Sequence, residues 1–138
     1  MKKILFICTG NSARSIMAES LMNHHGGERY RAFSAGAAPA GEVNPLTLET
    51  LEKHGRKIDG LRSKPLPEFR GDVFDLVITV CDNARESCPI WPSQTKTLHW
   101  SFPDPAAVAG DMAAKKQAFE ETFERIERRI LKLLSEDW

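Results

Sequence analysis

The stretch KILFICTGNSARS at residues 3–15 decides the fold, because a continuous apolar run leads directly into a loop of small polar residues. Residues 3–8 are predicted to form a buried strand, and a helix is predicted from Ser15 to about residue 24. Parallel α/β sheets bind ligands at the carboxyl ends of their strands. The stretch therefore predicts both a first strand–loop–helix unit and the position of a ligand site.

The rest of the chain repeats this alternation of short apolar runs and amphipathic segments. Further elements are predicted as strands at residues 30–34, 74–80 and 95–100 and as helices at residues 45–54 and 112–134. Asn44 before Pro45 is typical of a helix start, and Gly55 is typical of the helix end that follows. Strands alternating with helices predict one α/β domain over residues 1–138, built around a parallel sheet.

Composition excludes several classes of function. The 138 residues carry 19 basic and 19 acidic side chains, so no overall positive field exists to attract nucleic acid or an anionic membrane. The apolar runs are too short to span a bilayer or to act as a signal peptide, and we expect a cytoplasmic protein. Three cysteines are an odd count, which argues against a closed disulfide framework and leaves reactive thiols to explain.

The loop after the first strand has the residues needed to hold a tetrahedral anion. Small residues there can turn backbone N–H groups inward, and the start of the helix adds its dipole. Arg14 offers a bidentate fork to an oxyanion, and Ser15 can donate a hydrogen bond to the Cys8 sulfur. The candidate oxyanion-binding residues are Thr9, Gly10, Asn11, Ser12, Ala13 and Arg14.

Cys8 stands at the start of this loop, where the strand ends. In such a positive environment its thiol is expected to be present largely as the thiolate, a nucleophile that faces the bound anion. The alternative is an inert buried cysteine that closes a strand. The pattern Cys-x5-Arg-Ser on a strand–loop–helix unit favours the nucleophile.

A second pair of thiols lies farther along the chain. Cys81 follows the strand predicted at residues 74–80, and Cys88 comes seven positions later. Zinc ligation would need closer spacing and further partners, and two buried structural cysteines are the other alternative. If the intervening residues were helical, the two Cα atoms would lie ~10 Å apart, whereas a disulfide needs roughly 4.4–6.8 Å. A disulfide between these cysteines therefore predicts a segment that changes shape between the reduced and oxidised protein.

Residues 8–19, CTGNSARSIMAE, resemble the phosphate-binding loop of the low-molecular-weight tyrosine phosphatases and of the arsenate reductases built on the same fold. The similarity continues through Ser34-Ala35-Gly36, Val80-Cys81, Cys88-Pro89 and Asp104-Pro105. It implies a low-molecular-weight tyrosine phosphatase-like fold, a three-layer α/β/α domain with a central four-stranded parallel sheet. The loop is common to both activities and does not choose between them.

Residues 77–92, VITVCDNARESCPIWP, resemble the redox segment of the thioredoxin-coupled arsenate reductases, which implies arsenate reduction for arsenic detoxification. The resemblance assigns the attack on arsenate to Cys8. Cys81 would then attack Cys8 and release arsenite, and Cys88 would attack Cys81 to form a redox-active disulfide. Thioredoxin would reduce that disulfide. The expected partners are therefore arsenate, other tetrahedral oxyanions and thioredoxin, and no bound cofactor is expected.

Asp104, in the motif Phe102-Pro103-Asp104-Pro105, matches the catalytic acid of both families, a role that needs a carboxyl group beside the anion loop. The alternative is a turn aspartate before a proline. Ala106 and Ala107 follow, where the phosphatases usually place a tyrosine against an aromatic substrate. Two other functions stay open: a phosphatase for phosphotyrosine or other phosphomonoesters, and a non-catalytic carrier of arsenite or a soft metal.

Four residues are expected to support the anion loop: Asn11, Glu19, Ser34 and Lys64. In some reductases of the family, residues matching the first three bind a potassium ion together with an aspartate. Lys64 stands where that aspartate would be, so neither a potassium site nor any other metal site is expected. We predict that the Lys64 ammonium takes the place of the cation and pairs with Glu19; a solvated loop lysine is the alternative. We also expect a monomer.

Overall fold

The computed structural model describes residues 1–82 and 95–136, and within them helices cover a four-stranded sheet. The elements in chain order are β1 (Lys2–Cys8), α1 (Arg14–Gly26), β2 (Tyr30–Gly36), α2 (Pro45–Lys53), a 3₁₀ helix (Leu66–Phe69), β3 (Leu76–Thr79), β4 (Thr97–His99), a 3₁₀ turn (Pro105–Ala107) and α3 (Met112–Ser135). The strands are parallel and lie in the order β2-β1-β3-β4. The predicted four-stranded parallel sheet is confirmed.

The sheet is the middle of three layers because both of its faces are apolar. Ile4 and Phe6 of β1 belong to a core cluster with buried residues of α1, α2 and α3. Leu5 and Ile7 point to the opposite face, where they pack with Phe69 of the 3₁₀ helix. A strand that is buried on both faces has no polar alternation, which is why its sequence reads as one apolar run.

The ends of α2 and α3 follow from local sequence. The Asn44 side chain accepts a hydrogen bond from the Leu46 N–H at 2.9 Å, and Pro45 is the first helical residue, as predicted. Gly55 has a φ of 71° just past the end of α2, a conformation that glycine adopts without steric cost. Asp111 caps α3 through a 2.9 Å bond from the Ala114 N–H.

Some element boundaries differ from the prediction because tertiary contacts intervene. The strand expected at residues 74–80 covers only Leu76–Thr79, since Phe74 packs in an aromatic cluster with Phe33 and Phe69 at centroid distances of 5.8 and 5.9 Å. The sequence did not predict the 3₁₀ helix Leu66–Phe69, which brings Phe69 to that cluster. Across the described ranges, every helix is too short or too polar to cross a bilayer.

Candidate active site

The anion loop lies where β1 ends and α1 begins, at the carboxyl edge of the sheet. It lines a cavity of about 200 Å³, together with Asp104 from the segment that follows β4. All seven residues from Cys8 to Arg14 contribute to the lining. The structure therefore brings the predicted oxyanion-binding residues and the predicted acid to one place.

Cys8 is a free thiol that is 2% exposed, and it makes hydrogen bonds on two sides. The Asn11 backbone N–H donates to Sγ at 3.2 Å, and Ser15 Oγ lies 2.8 Å from Sγ. The Ser15 oxygen also accepts a bond from Asn11 Nδ2 at 2.7 Å, which holds the hydroxyl beside the sulfur. These contacts hold Sγ in a fixed position beside the cavity, as a nucleophile requires.

The N-terminus of α1 differs from those of the other two α-helices. Asn44 and Asp111 side chains cap α2 and α3, whereas within the described residues no side chain caps α1. The first N–H groups of α1 stand beside the cavity, which Ala13 and Arg14 line. An anion bound there would accept hydrogen bonds from these groups and would lie at the positive end of the helix dipole.

Arg14 and Asp104 form the charged wall of the cavity. Arg14 is 4% exposed and its Nη1 donates to the Phe102 carbonyl oxygen at 3.1 Å, which fixes the guanidinium plane. Its Nη2 lies 3.8 Å from Asp104 Oδ2. The Asp104 side chain is 39% exposed and its Oδ1 accepts from the Ala106 N–H at 2.9 Å. The Asp104 carboxylate therefore stabilises a turn and also lies beside the anion loop.

Behind the loop, a chain of buried polar side chains leads to the sulfur. Asn11 is fully buried and has a φ of 47°, a left-handed conformation that asparagine tolerates better than most residues. Its Oδ1 accepts from the Lys64 backbone N–H at 2.7 Å. Its two Nδ2 protons go to Ser15 Oγ and, at 3.0 Å, to Ser34 Oγ. Every polar atom of the Asn11 amide is thus used.

Lys64 completes this group, which we call the loop network: Asn11, Ser15, Glu19, Ser34 and Lys64. The Lys64 ammonium lies 2.6 Å from the Arg62 carbonyl oxygen, 3.5 Å from Glu19 Oε1 and 3.4 Å from Ser34 Oγ. Ser34 in turn donates to Glu19 at 2.6 Å. Burial lowers the pKa of Lys64 below its ordinary value, although the neighbouring Glu19 opposes that shift. The predicted contact between Lys64 and Glu19 is present, and the alternative of a solvated loop lysine is wrong, since Lys64 is 5% exposed.

Cys81 is fully buried and lies two residues past β3, the strand next to the one that ends at the nucleophile. β1 and β3 are paired neighbours, with Ile7 opposite Thr79, and Cys8 and Cys81 belong to the same core cluster. Cys88 and the change of shape predicted for its segment lie outside the described residues. Among the residues that are described, no group of three His, Cys, Asp or Glu side chains could hold a metal ion.

Sequence reasoning missed a second layer of residues that holds the anion loop from outside. The Ala37, Ala38 and Ala40 N–H groups donate to the carbonyl oxygens of Cys8, Thr9 and Gly10 at 2.9–3.1 Å. Gly36 allows this approach, because a Cβ there would lie 2.5 Å from the Thr9 oxygen. The Gly- and Ala-rich composition of residues 36–43 was the available signal, but it reads equally well as an ordinary connection.

Comparison with known proteins places this geometry in a family. Residues 3–137 match the family described as low molecular weight phosphotyrosine protein phosphatase. An arsenate reductase of Bacillus licheniformis is 37% identical over 129 residues, which cover 94% of this chain and 92% of that protein. The crystal structure of an arsenate reductase from Archaeoglobus fulgidus has a TM-score of 0.74 and 31% identity, and the match covers 92% of this chain and 98% of that one. A thioredoxin-dependent arsenate reductase of Corynebacterium glutamicum has a TM-score of 0.74 and 32% identity over 98% of this chain and 61% of that chain.

Proposed function

The chain belongs to the low molecular weight phosphotyrosine protein phosphatase family, and from that premise we propose that it reduces arsenate to arsenite by a thiol cascade that begins at Cys8. One observation carries the proposal. A free, hydrogen-bonded Cys8 thiol lines the anion cavity, and a second cysteine, Cys81, follows the adjacent strand β3 two residues after its end. A phosphatase of this fold needs the first thiol and has no use for the second.

In the first step the Cys8 thiolate attacks arsenic in the bound arsenate. A sulfur–arsenic bond forms, one oxygen leaves as water after protonation, and arsenic stays in the +5 state. Arg14 and the inward N–H groups of the loop hold the remaining oxygens and stabilise the charge that develops on them. Asp104, close to Arg14, is the acid that protonates the leaving oxygen.

In the second step the Cys81 thiolate attacks the Cys8 sulfur. The sulfur–arsenic bond breaks and its electron pair stays with arsenic, which is reduced to the +3 state and leaves as arsenite. The two sulfurs are oxidised to a Cys8–Cys81 disulfide. Cys88 then attacks Cys81, which frees Cys8 for the next cycle. Thioredoxin supplies the two electrons that reduce the resulting Cys81–Cys88 disulfide.

The loop network makes an external cation unnecessary in this proposal. The Lys64 ammonium neutralises Glu19 from inside the fold. Glu19 accepts a hydrogen bond from Ser34, and Ser34 in turn accepts one from the Asn11 amide. The Asn11 amide also positions the Ser15 hydroxyl against the sulfur. We therefore expect the same turnover in potassium and in sodium salts at matched ionic strength. A clear activation by potassium would contradict this role of Lys64.

The decisive experiment follows NADPH oxidation in the presence of thioredoxin and thioredoxin reductase, with and without arsenate. The proposal expects oxidation that depends on arsenate, and its absence would overturn the proposal. Cys88→Ser separates the two activities of the family. A reductase carrying this change stalls after one cycle, whereas a phosphatase keeps its turnover of a phosphomonoester.

Hydrolysis of phosphomonoesters is the second candidate, because the anion cavity and Asp104 would serve it equally well. A carrier of arsenite or a soft metal would instead give a stoichiometric complex without consumption of reductant. The expected single domain, monomeric state, cytoplasmic location and lack of nucleic-acid and membrane partners stay predictions.

A further inference from the structure

Two side-chain hydroxyls outside the loop bond to its backbone carbonyls, and neither touches the cavity. Thr47 in the first turn of α2 is fully buried, and its Oγ1 donates to the Ser12 carbonyl oxygen at 2.8 Å. Ser63 Oγ donates to the Gly10 carbonyl oxygen at 3.1 Å. Each of these carbonyls also accepts a backbone N–H, from Asn44 at 3.0 Å and from Ala40 at 2.9 Å. Both carbonyls therefore make two hydrogen bonds, all of them to donors outside the loop.

The direction of these carbonyls fixes the direction of the N–H groups that follow them. A trans peptide unit is planar, and its C=O and N–H point in opposite directions; no peptide bond among the described residues is cis. A Gly10 carbonyl held outward therefore turns the Asn11 N–H inward. The structure shows this result directly, since the Asn11 N–H donates to Cys8 Sγ at 3.2 Å. By the same geometry, the outward Ser12 carbonyl turns the Ala13 N–H towards the cavity, which Ala13 lines.

We infer that Thr47 and Ser63 are positioning residues for the oxyanion, because they hold the Ser12 and Gly10 carbonyls outward and so aim the Ala13 and Asn11 N–H groups inward. Without them, a carbonyl that turned inward would present a negative dipole to the anion in place of a donor. A hydrogen bond on the carbonyl also polarises its peptide unit and strengthens the N–H as a donor. The inference rests on the proposed function only in that a tetrahedral oxyanion occupies the cavity.

The chain offers a matched control for Thr47 in the same helix. Thr50 lies one turn later in α2, is 7% exposed, and its Oγ1 also donates to a carbonyl, that of Leu46 at 2.7 Å. Leu46 does not line the cavity. Thr47→Val and Thr50→Val therefore remove the same group from two similarly buried sites, and only the first acts on the loop.

The test measures the affinity of the reduced protein for inorganic phosphate by titration calorimetry, with thermal unfolding recorded for each variant. Thr47→Val is expected to weaken phosphate binding about threefold to tenfold, the ordinary effect of one lost hydrogen bond. Thr47→Ser keeps the hydroxyl and should bind within about twofold of the wild type. Thr50→Val should lower the unfolding temperature to a similar extent while leaving phosphate affinity unchanged.

Ser63→Ala provides an independent arm, because Ser63 is only partly buried and its loss leaves the backbone donor to Gly10 in place. Ser63→Ala should weaken phosphate binding about twofold to threefold. If Thr47→Val does not fold, the phosphate affinity of Ser63→Ala tests the inference by itself. Equal phosphate affinity in wild type, Thr47→Val and Ser63→Ala would overturn the inference, as would a wild type that binds no phosphate. A wild type that binds phosphate but does not reduce arsenate would overturn only the proposed function.

Discussion

Two polar clusters of this molecule differ in burial and in the kind of group they use. The loop network consists mainly of neutral donors and acceptors, and its members Asn11, Ser15 and Ser34 are fully buried. The second cluster, which we call the helix-layer cluster, joins α1, α2 and α3 through His25, His54, Arg56, Glu120 and Glu127. Its side chains are 17–29% exposed. Solvent therefore screens the helix-layer cluster more than it screens the loop network.

The geometry of the helix-layer cluster is that of structural hydrogen bonds together with the Arg56–Glu127 ion pair. His54 stacks on Phe123 with ring centroids 4.2 Å apart and lies 2.7 Å from Glu120 Oε1. Glu127 Oε2 lies 2.9 Å from His25 Nε2 and 3.1 Å from Arg56 Nη2. None of these groups lines the anion cavity. The comparison predicts that changes in the loop network alter chemistry, whereas changes in the helix-layer cluster alter only stability.

The largest effect is expected from Cys8→Ser. A hydroxyl at this position is a far weaker nucleophile than a thiolate, so arsenate-dependent NADPH oxidation should fall at least about a thousandfold. The free energy of unfolding should change by less than about 1 kcal/mol, because the two side chains are similar in shape. His54→Gln in the helix-layer cluster is the control and should keep wild-type turnover. Loss of turnover in the control would remove the distinction between the clusters.

A pair of changes at Asn11 is expected to have the next largest effect. Asn11→Ala removes the side-chain bonds to Ser15, Ser34 and Lys64 and places alanine at a φ of 47°, so we expect turnover to fall about a hundredfold and stability by about 2–4 kcal/mol. Asn11→Gly relieves the backbone strain alone and should recover about 1 kcal/mol without recovering turnover. Denaturant unfolding and the coupled assay measure the two quantities. Recovery of turnover in Asn11→Gly would show that the amide bonds are dispensable.

Lys64→Gln should lower kcat/KM by about tenfold, since Glu19 would lose its buried cation and Ser34 its fixed position. Lys57→Gln is the matched control, because Lys57 is an exposed lysine outside the anion cavity. The ratio of the two kcat/KM values, measured with arsenate in the coupled assay, checks the prediction. Equal kcat/KM values for the two variants would mean that the charge of Lys64 has no effect on catalysis at Cys8.

The smallest effect is expected from Glu127→Gln, and it depends on pH. Burial alone would raise the pKa of Glu127, but hydrogen bonds from His25 and Arg56 outweigh it and hold the pKa below the ordinary 4.5. A carboxyl group with a lowered pKa in the folded state stabilises the fold above its unfolded-state value, and this contribution is lost as pH falls through the folded-state value. The variant should thus lose about 1 kcal/mol at neutral pH.

The difference between wild type and Glu127→Gln should shrink as pH falls below about 4.5, when the wild-type carboxylate takes up its proton. Denaturant unfolding between about pH 3 and 7 measures this difference. Glu124→Gln, an exposed position on the same helix, is the control and should differ little from wild type at any pH. A difference for Glu127→Gln that persists unchanged at about pH 3 would rule out the ion pair as its cause.

Much of the fold could be predicted because its signals are local. The apolar run of β1, the Asn44-Pro45 start of α2 and the Gly55 end are each set by a few neighbouring residues. The strand predicted at residues 74–80 was too long because the ring of Phe74 packs with Phe33, a residue far away in sequence. Contacts of that kind decide where a strand ends and leave no mark in its own sequence.

The candidate site divides in the same way. Cys8, Arg14 and Ser15 lie within one short strand–loop–helix unit, so their meeting was predictable from spacing. The contact of Lys64 with Glu19 was predicted from the resemblance. The hydroxyls of Thr47 and Ser63 were not predictable, because they reach the loop from 35 and 53 positions away and bond only to backbone carbonyls. A hydrogen bond to a backbone carbonyl does not depend on the side chain of the residue contacted, so no sequence pattern predicts it.

The sequence by itself determined the strand–loop–helix unit, the nucleophile and the arginine, because hydrophobic periodicity and short-range spacing encode them. Tertiary structure decided which groups surround that unit. The parallel pairing of β1 with β3 brings Cys81 to the edge where Cys8 lies, and the pairing of β1 with β2 brings the Gly36 segment against the loop carbonyls. Those carbonyls must find donors once they are buried, and only the folded chain supplies the donors.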